Sequence, residues 1–402
     1  MPLPRETLTR NGHTEFTRNG YANGELEESP GRENSNSLKI VILGLSITSS
    51  SGNSHATTYR EMVQALSGLG HEVLFLERHV PLYAAKRDLP RPLCGRVALY
   101  SNIGEMKQQF GRAIRQADLV MVGSFVQEGA AIGEWVTRVA QGVTAFYDLD
   151  TPVTMRRLAR HELDHLTEEL VSRYQIYFSL TGGRFLESIQ RRYAARRVLP
   201  LYCSVDPELY FPEEREKRWD LGYVGTHSED RQPALDELLL EPARNWRKGR
   251  FVVAGLQYPA DLRWPVNVHR YTDLPPAKHR AFYNAQAFAL NITRADMAET
   301  VSAPGVRLLQ AAACGIPIIS DDWEGLDAFL EPGREILIAH SAEESLYYLL
   351  ETTEAERKQI GQRGRARVLA RHTARHRALE LVAAVREVLA PITKLGSKAA
   401  GL

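Results

Sequence analysis

The chain is poor in cysteine, has no long apolar run and carries almost no excess of either charge, and each shortage removes a class of function. Its three cysteines, Cys94, Cys203 and Cys314, are far apart and odd in number. They offer neither a disulfide framework nor the paired spacing of a zinc site, so reduced thiols in a cytoplasmic protein are the simplest expectation. No stretch is long and apolar enough to suggest a bilayer span. Residues 1–37 are polar and turn-forming, with no apolar segment of the kind a signal peptide or membrane anchor needs, and are expected to form a disordered arm. With Lys+Arg 50 against Asp+Glu 49, global charge favours neither nucleic acid nor an anionic membrane as partner. Missing too are the GxGxxG and GxxxxGK[ST] phosphate loops, which removes the standard dinucleotide and ATP sites.

What is present is ample apolar material in an alternating order. Hydrophobic residues make up 44% of 402, enough for two or three ordinary domains. Leu38–Gly44 (LKIVILG) reads as a fully buried parallel strand ending in glycine. A serine-rich loop with Ser51, Gly52 and Asn53 leads into a helix from His55, and strands and helices then alternate to about Tyr202. This is the pattern of a doubly wound α/β domain, whose ligands sit beyond the carboxyl ends of its strands. Prolines and charges interrupt every pattern in VDPELYFPEEREKRWD, Val205–Asp220, and a second α/β series opens at Trp219–Gly225. The expected division is an arm over 1–37, a first domain over 38–210, a second over 211–374, and a helix and tail over 375–402 that could cross back to the first domain.

Two sets of residues in the first half could carry chemistry. Asp148 and Asp150 end a strand in YDLDTPVT and could orient or deprotonate an acceptor, although aspartate before Thr-Pro is also a common helix cap. The DxD spacing resembles a metal motif of one glycosyltransferase class. His161-Glu162-Leu163-Asp164-His165 spells HExxH, which on a helix would put two imidazoles one turn apart with a glutamate to activate zinc-bound water. Its charged interior position and the lack of a nominated third ligand make a solvated amphipathic helix the competing account. Arginine clusters at 191–197 and 363–375 lack an aromatic platform for RNA and read as solvated faces.

The densest stretch is Ala287–Gly325. It reads as a strand, a polar loop, a helix from Val306 and a second buried strand. Thr293, Arg294, Ser302 and Arg307 gather around the start of that helix, with Pro304 suited to its first turn. Unpaired helix amides, the macrodipole and nearby guanidinium groups together suit a phosphate. A second such turn follows Gly225, where Thr226 and Arg231 precede a helix.

Two successive doubly wound domains, with the phosphate-suited helix in the second, resemble the GT-B glycosyltransferases. GVRLLQAAACGIPIISD, Gly305–Asp321, is similar to the donor-site helix and strand of glycosyltransferase family 4 and of the CgeB-like, spore-maturation branch. FYDLDTPVT, SLTGG, LYCSVDPELY and YVGTHSEDRQPAL resemble further blocks of that branch. The resemblance implies an α/β fold of two Rossmann-like domains facing an interdomain cleft. It also implies metal-independent and retaining sugar transfer from a nucleotide-sugar to an acceptor, with no cofactor and no nucleic acid as partner. Gly225, Thr226, Arg231, Thr293, Arg294, Ser302, Pro304, Gly305, Val306, Arg307 and Gln310 would hold the donor. Asp148 and Asp150 would serve catalysis, and Ser51, Gly52, Asn53 and His55 the acceptor. Where the family carries an E-x7-E motif, this chain has Ser302 and Gln310, a departure that brings in a rival reading, a nucleotide-sugar-binding subunit without activity.

Overall fold

The computed structural model describes residues 36–50, 55–89, 94–272, 274–293 and 303–399; for Leu82 and residues 391–399 only the backbone is described. The arm at 1–35 lies outside the described residues, as do Ser51, Gly52, Asn53, Arg294 and Ser302.

The first lobe is built on seven parallel strands: β1 (Lys39–Gly44), β2 (Glu72–Arg78), β3 (Arg96–Tyr100), β4 (Leu119–Gly123), β5 (Val143–Asp148), β6 (Ile176–Ser179) and β7 (Val198–Pro200). Their spatial order is β3-β2-β1-β4-β5-β6-β7. β4 and β5 are buried along their whole length, which is why they read as unbroken apolar runs rather than alternating ones. Helix α1 (His55–Gly68) packs on one face through Tyr59, Met62, Val63 and Leu66. On the other face lie α3 (Ile103–Gln116) and α4 (Gly129–Val139), while α2 (Pro81–Ala84) is one short turn after β2. β3 was not expected, because a proline-rich approach and a short edge strand leave little pattern to read. α5 (Thr151–Leu158), α6 (Glu168–Arg173) and α7 (Arg184–Tyr193) complete this lobe.

The second lobe carries six parallel strands: β8 (Trp219–Val224), β9 (Phe251–Ala254), β10 (Val268–Tyr271), β11 (Gln286–Asn291), β12 (Ile318–Ser320) and β13 (Leu337–Ile338). They run in the order β10-β9-β8-β11-β12-β13. Between β8 and β9 the chain forms α8 (Gln232–Leu235), a π-helical stretch at Asp236–Leu240 and α9 (Glu241–Asn245). α10 (Pro276–Asn284) and α11 (Val306–Ala313) flank β11, and α12 (Leu326–Phe329), α13 (Ala342–Glu351) and α14 (Glu354–Arg371) follow. A full capping box, Thr353 with Glu356, starts α14. In both sheets the strand order reverses direction beside the first strand of the lobe, so a crevice opens at the carboxyl ends there.

The last helix, α15 (Ala374–Ala399), leaves the second lobe and packs against α1, with Ala378, Leu381, Val382 and Val385 in the core of the first sheet. The chain therefore crosses between lobes twice, and the two crossings bond to each other. Val205 N donates to His372 O at 3.1 Å, and Ala374 N donates to Val205 O at 3.2 Å. No helix among the described residues is long and apolar enough to cross a membrane.

Candidate functional site

The crevice of the second lobe starts from two glycine turns that touch. β8 ends at Gly225 and β9 at Gly255, and a Cβ on Gly255 would stand 1.8 Å from Gly225 O. Only a residue without a side chain lets the two strand ends run this close. Gly255→Ala is thus expected to destabilise the fold by about 1–3 kcal/mol, the range of an overpacked core position, and to spread the crevice. Urea unfolding measures the first effect and nucleotide calorimetry the second. The Gly225 amide itself bonds Ala254 O at 2.8 Å, so it completes the sheet instead of being offered to a ligand.

Tyr258 closes over this turn, its hydroxyl donating to Gly225 O at 3.0 Å. Its ring meets His227 edge-on at 5.5 Å and Trp264 at 5.2 Å, and the Arg270 guanidinium lies 4.4 Å over Trp264. Burial pushes the Tyr258 phenol up, while Arg231, Arg307 and Arg270 all act on it in the opposite sense. Three guanidinium groups thus lie near enough to this phenol to favour its charged form. Arg231 is held by Ser228 Oγ at 2.8 Å and Thr226 O at 3.2 Å and makes no ion pair among the described residues. Arg307, half-buried, makes no ion pair or hydrogen bond among the described residues. Cations with no acidic partner among the described residues mark a place for an anion.

Arg307 sits in the first turn of α11, whose cap is Gly305. The first-turn amides of Val306 and Arg307 have no preceding turn to pair with. Pro304 lies one residue outside the helix, correcting its expected first-turn place, and its carbonyl accepts the Cys203 thiol at 2.9 Å. That bond ties the helix start to the first crossing between the lobes. Gln310, one turn further on, is 3% exposed, with Oε1 enclosed and unpartnered. Thr293 is engaged inside its own lobe: its amide and hydroxyl donate to Asp321 at 2.8 and 3.1 Å. Burial raises the Asp321 carboxyl to about 6 against these bonds. Thr293 thus shapes the loop base rather than presenting its hydroxyl.

In the first lobe the aspartate pair divides. Asp148 is fully buried and accepts from Tyr177 Oη at 2.5 Å, Thr154 Oγ1 at 2.7 Å and the Asp150 amide at 3.2 Å. Burial raises its carboxyl to about 6, with these donors opposing the rise. Such a carboxylate holds the β5–α5 turn in shape and is fully buried, away from solvent. Asp150, half-buried at the head of α5, makes no capping bond to that helix and keeps the more open position.

The loop after β1 is clamped by two acids. Buried Glu77 accepts from Ile47 N, Thr48 N and Thr48 Oγ1 at 2.8, 3.0 and 2.6 Å. Asp88 accepts from Ser50 and Arg60. His55, at the end of that loop, packs on Phe125 at 5.4 Å, and burial followed by His165 lowers its imidazole to about 4. It is a neutral ring at physiological pH. Phe125 is itself in left-handed backbone, φ 63°, a conformation that a bulky residue holds only under constraint from its surroundings.

The HExxH reading fails on geometry. Its residues fall in turns between α5 and α6, not on a helix; His161 is exposed with φ 56°, and His165 is buried against Phe125 and Phe146. Among the described residues no group of three or more His, Cys, Asp or Glu stands together as metal ligands would.

Sequence reasoning missed three groups. Tyr258 and His279 are brought to the crevice by loop and helix packing that no linear pattern announces. Glu61, on α1, lies buried where the lobes join, with Ser204 Oγ donating to its Oε2 at 2.7 Å and Oε1 unpartnered. A carboxylate among the core-facing positions of an amphipathic helix was the available signal.

Comparison with known proteins agrees with this architecture. Residues 231–383 match a family model described as glycosyl transferase-like. No curated protein matches the chain in sequence. Among solved structures, sucrose-phosphate synthase from Thermosynechococcus elongatus superposes with a TM-score of 0.61 at 13% identity, over 88% of this chain and 99% of that one. Anabaena HepE in complex with UDP and glucose gives 0.63 at 11%, over 87% and 100%. An α-glucosyltransferase in complex with UDP and a 13-mer DNA gives 0.62 at 11%, over 87% and 100%. At such identities the likeness is one of fold, and the fold is GT-B.

Proposed function

We propose that the protein transfers a sugar from a nucleotide-sugar to an acceptor. The observation that carries this reading is the pair of guanidinium groups, Arg231 and Arg307, that have no acidic partner among the described residues and stand on the lobe that carries the open end of α11. A diphosphate is the anion that fits several cations and a helix N-terminus at once. In the reaction, Arg307, Arg231 and the Val306 and Arg307 amides take up the negative charge that develops on the departing nucleoside diphosphate. This is charge stabilisation by groups already in place, and it does what a metal ion does in other transferases. The glycosyl-like family match over the same lobe, and the UDP and glucose in the Anabaena HepE structure, support this reading.

Arg294 and Ser302, by resemblance, would add donor contacts from the loop before α11. Gln310 takes the place where relatives read the ribose. Asp150 orients the acceptor hydroxyl, with Asp148 holding the turn beneath it. Ser51, Gly52, Asn53 and His55 form the proposed acceptor side. We assign a retaining outcome and hexosyl transfer on the same resemblance, and closure of the two lobes over the donor as the step that excludes water.

Calorimetry with UDP, GDP and TDP and a turnover screen with their sugars test the proposal. Binding of at least one, with slow donor hydrolysis, is the expected result. Absence of binding to all would overturn it. Binding with neither transfer nor hydrolysis would leave the inactive nucleotide-sugar-binding subunit as the answer.

A further inference from the structure

We propose that His279 acts as a positioning residue for Gln310, holding the amide with its oxygen toward the Arg307 crevice, where it accepts a hydrogen bond from a ribose hydroxyl of the nucleotide. The inference deepens the proposed function and rests on it. Gln310 follows Arg307 by three residues in α11, so the two share a helix face. Its Oε1 is enclosed and has no hydrogen-bond donor among the described residues.

His279 stands on α10, and its Nε2 is 3.0 Å from Leu274 O. A carbonyl oxygen can only accept, so Nε2 carries the proton. Burial lowers the imidazole below its ordinary value, so the ring is neutral and Nδ1 presents a lone pair. That Nδ1 is likewise enclosed, and the Gln310 side chain lies within hydrogen-bonding reach of it without making a bond of good geometry.

Two enclosed acceptors side by side are an unstable arrangement. A half-turn of the amide about its last bond exchanges its oxygen and nitrogen and removes the conflict. Gln310 Nε2 then donates to His279 Nδ1, completing a chain from Leu274 O through the imidazole to the amide. Oε1 is left as the acceptor on the Arg307 face, with no donor for it among the described residues. Only a hydroxyl or amine on a ligand, or water, completes it. A glutamate in this place would accept a hydroxyl in any orientation and would set a negative charge beside Arg307. The neutral amide leaves that cation for the diphosphate, and the tautomer of His279 supplies the orientation that an amide, unlike a carboxylate, requires.

The test is a double-mutant cycle on the full chain, titrating UDP and GDP at pH 7.5 into wild type, Gln310→Leu, His279→Phe and the double variant, with a thermal melt of each. The expected result is an affinity loss of about tenfold for each single variant, and a double variant no weaker than the weaker single. With 2′,3′-dideoxy-UDP all four proteins should bind alike, which a purely structural role would not produce. His279→Asn, whose side-chain oxygen falls near the place of Nδ1, should restore most of the affinity. Additive losses, or unaltered binding by His279→Phe, would overturn the coupling. Nitrogen NMR of the ligand-free protein gives a second reading that needs no nucleotide: a His279 protonated on Nδ1 overturns this inference alone. A wild type that binds no nucleotide sinks the proposed function together with it.

Discussion

Replacing Arg307 by alanine is expected to weaken UDP or GDP binding by about 10- to 100-fold while leaving the melting temperature nearly unchanged. The size follows from losing a charge-assisted hydrogen bond to phosphate, about 1.5–3 kcal/mol. The absence of a stability effect follows from the surroundings: Arg307 is half-buried and pairs with no described residue, so its removal strands no buried partner. The loss should shrink as salt rises, because part of the attraction acts at a distance through water. Calorimetry at two ionic strengths measures it. Equal affinity in Arg307→Ala and wild type would remove the anion site from α11.

A second large effect is expected at the junction of the lobes. Burial raises the Glu61 carboxyl from near 4.5 to about 8, with the Asp206 charge acting in the same direction and the Ser204 bond against it. The folded value lies above the unfolded one. Its contribution is therefore fully present below about pH 4.5 and is lost as pH rises toward 8, because the unfolded chain releases this proton first. Glu61→Gln keeps an oxygen for Ser204 and carries no proton to lose. It should stabilise the protein by on the order of 3–5 kcal/mol at pH 8, and by little at pH 5. Other buried groups act in different windows. Asp148 and Asp321, raised to about 6, have finished their change by then. His55 and His372, lowered to about 4, weaken the fold only as pH falls below the ordinary imidazole range. Urea unfolding of both proteins from pH 5 to pH 8.5 checks this; parallel profiles would show that Glu61 is already ionised in the folded state.

Glu61 also belongs to the small set of bonds that join the two lobes. Its bond to Ser204 is in the first crossing, one residue from Cys203, whose thiol reaches Pro304 at the start of α11. The second crossing, His372–Ala374, bonds to Val205 in the first. Any relative motion of the lobes turns about this small set of bonds, and the start of α11 is tied directly to it.

The two Rossmann-like lobes and the helix that starts at Val306 could be read from the residues alone. Those features depend on local periodicity and on where apolar runs meet glycine, and buried parallel strands write both plainly into LKIVILG, WDLGYVG and GIPIISD. Only the tertiary structure decided which acid is sealed and which stays open, since Asp148 and Asp150 look alike until Tyr177 and Thr154 close on one of them. Likewise HExxH is a motif only if a helix carries it, and the turn at His161 withholds that helix. His279, Tyr258 and Glu61 gained their places through contacts between segments far apart in the chain. Burial and hydrogen-bond partners are properties of such contacts, and spacing along a chain does not encode them.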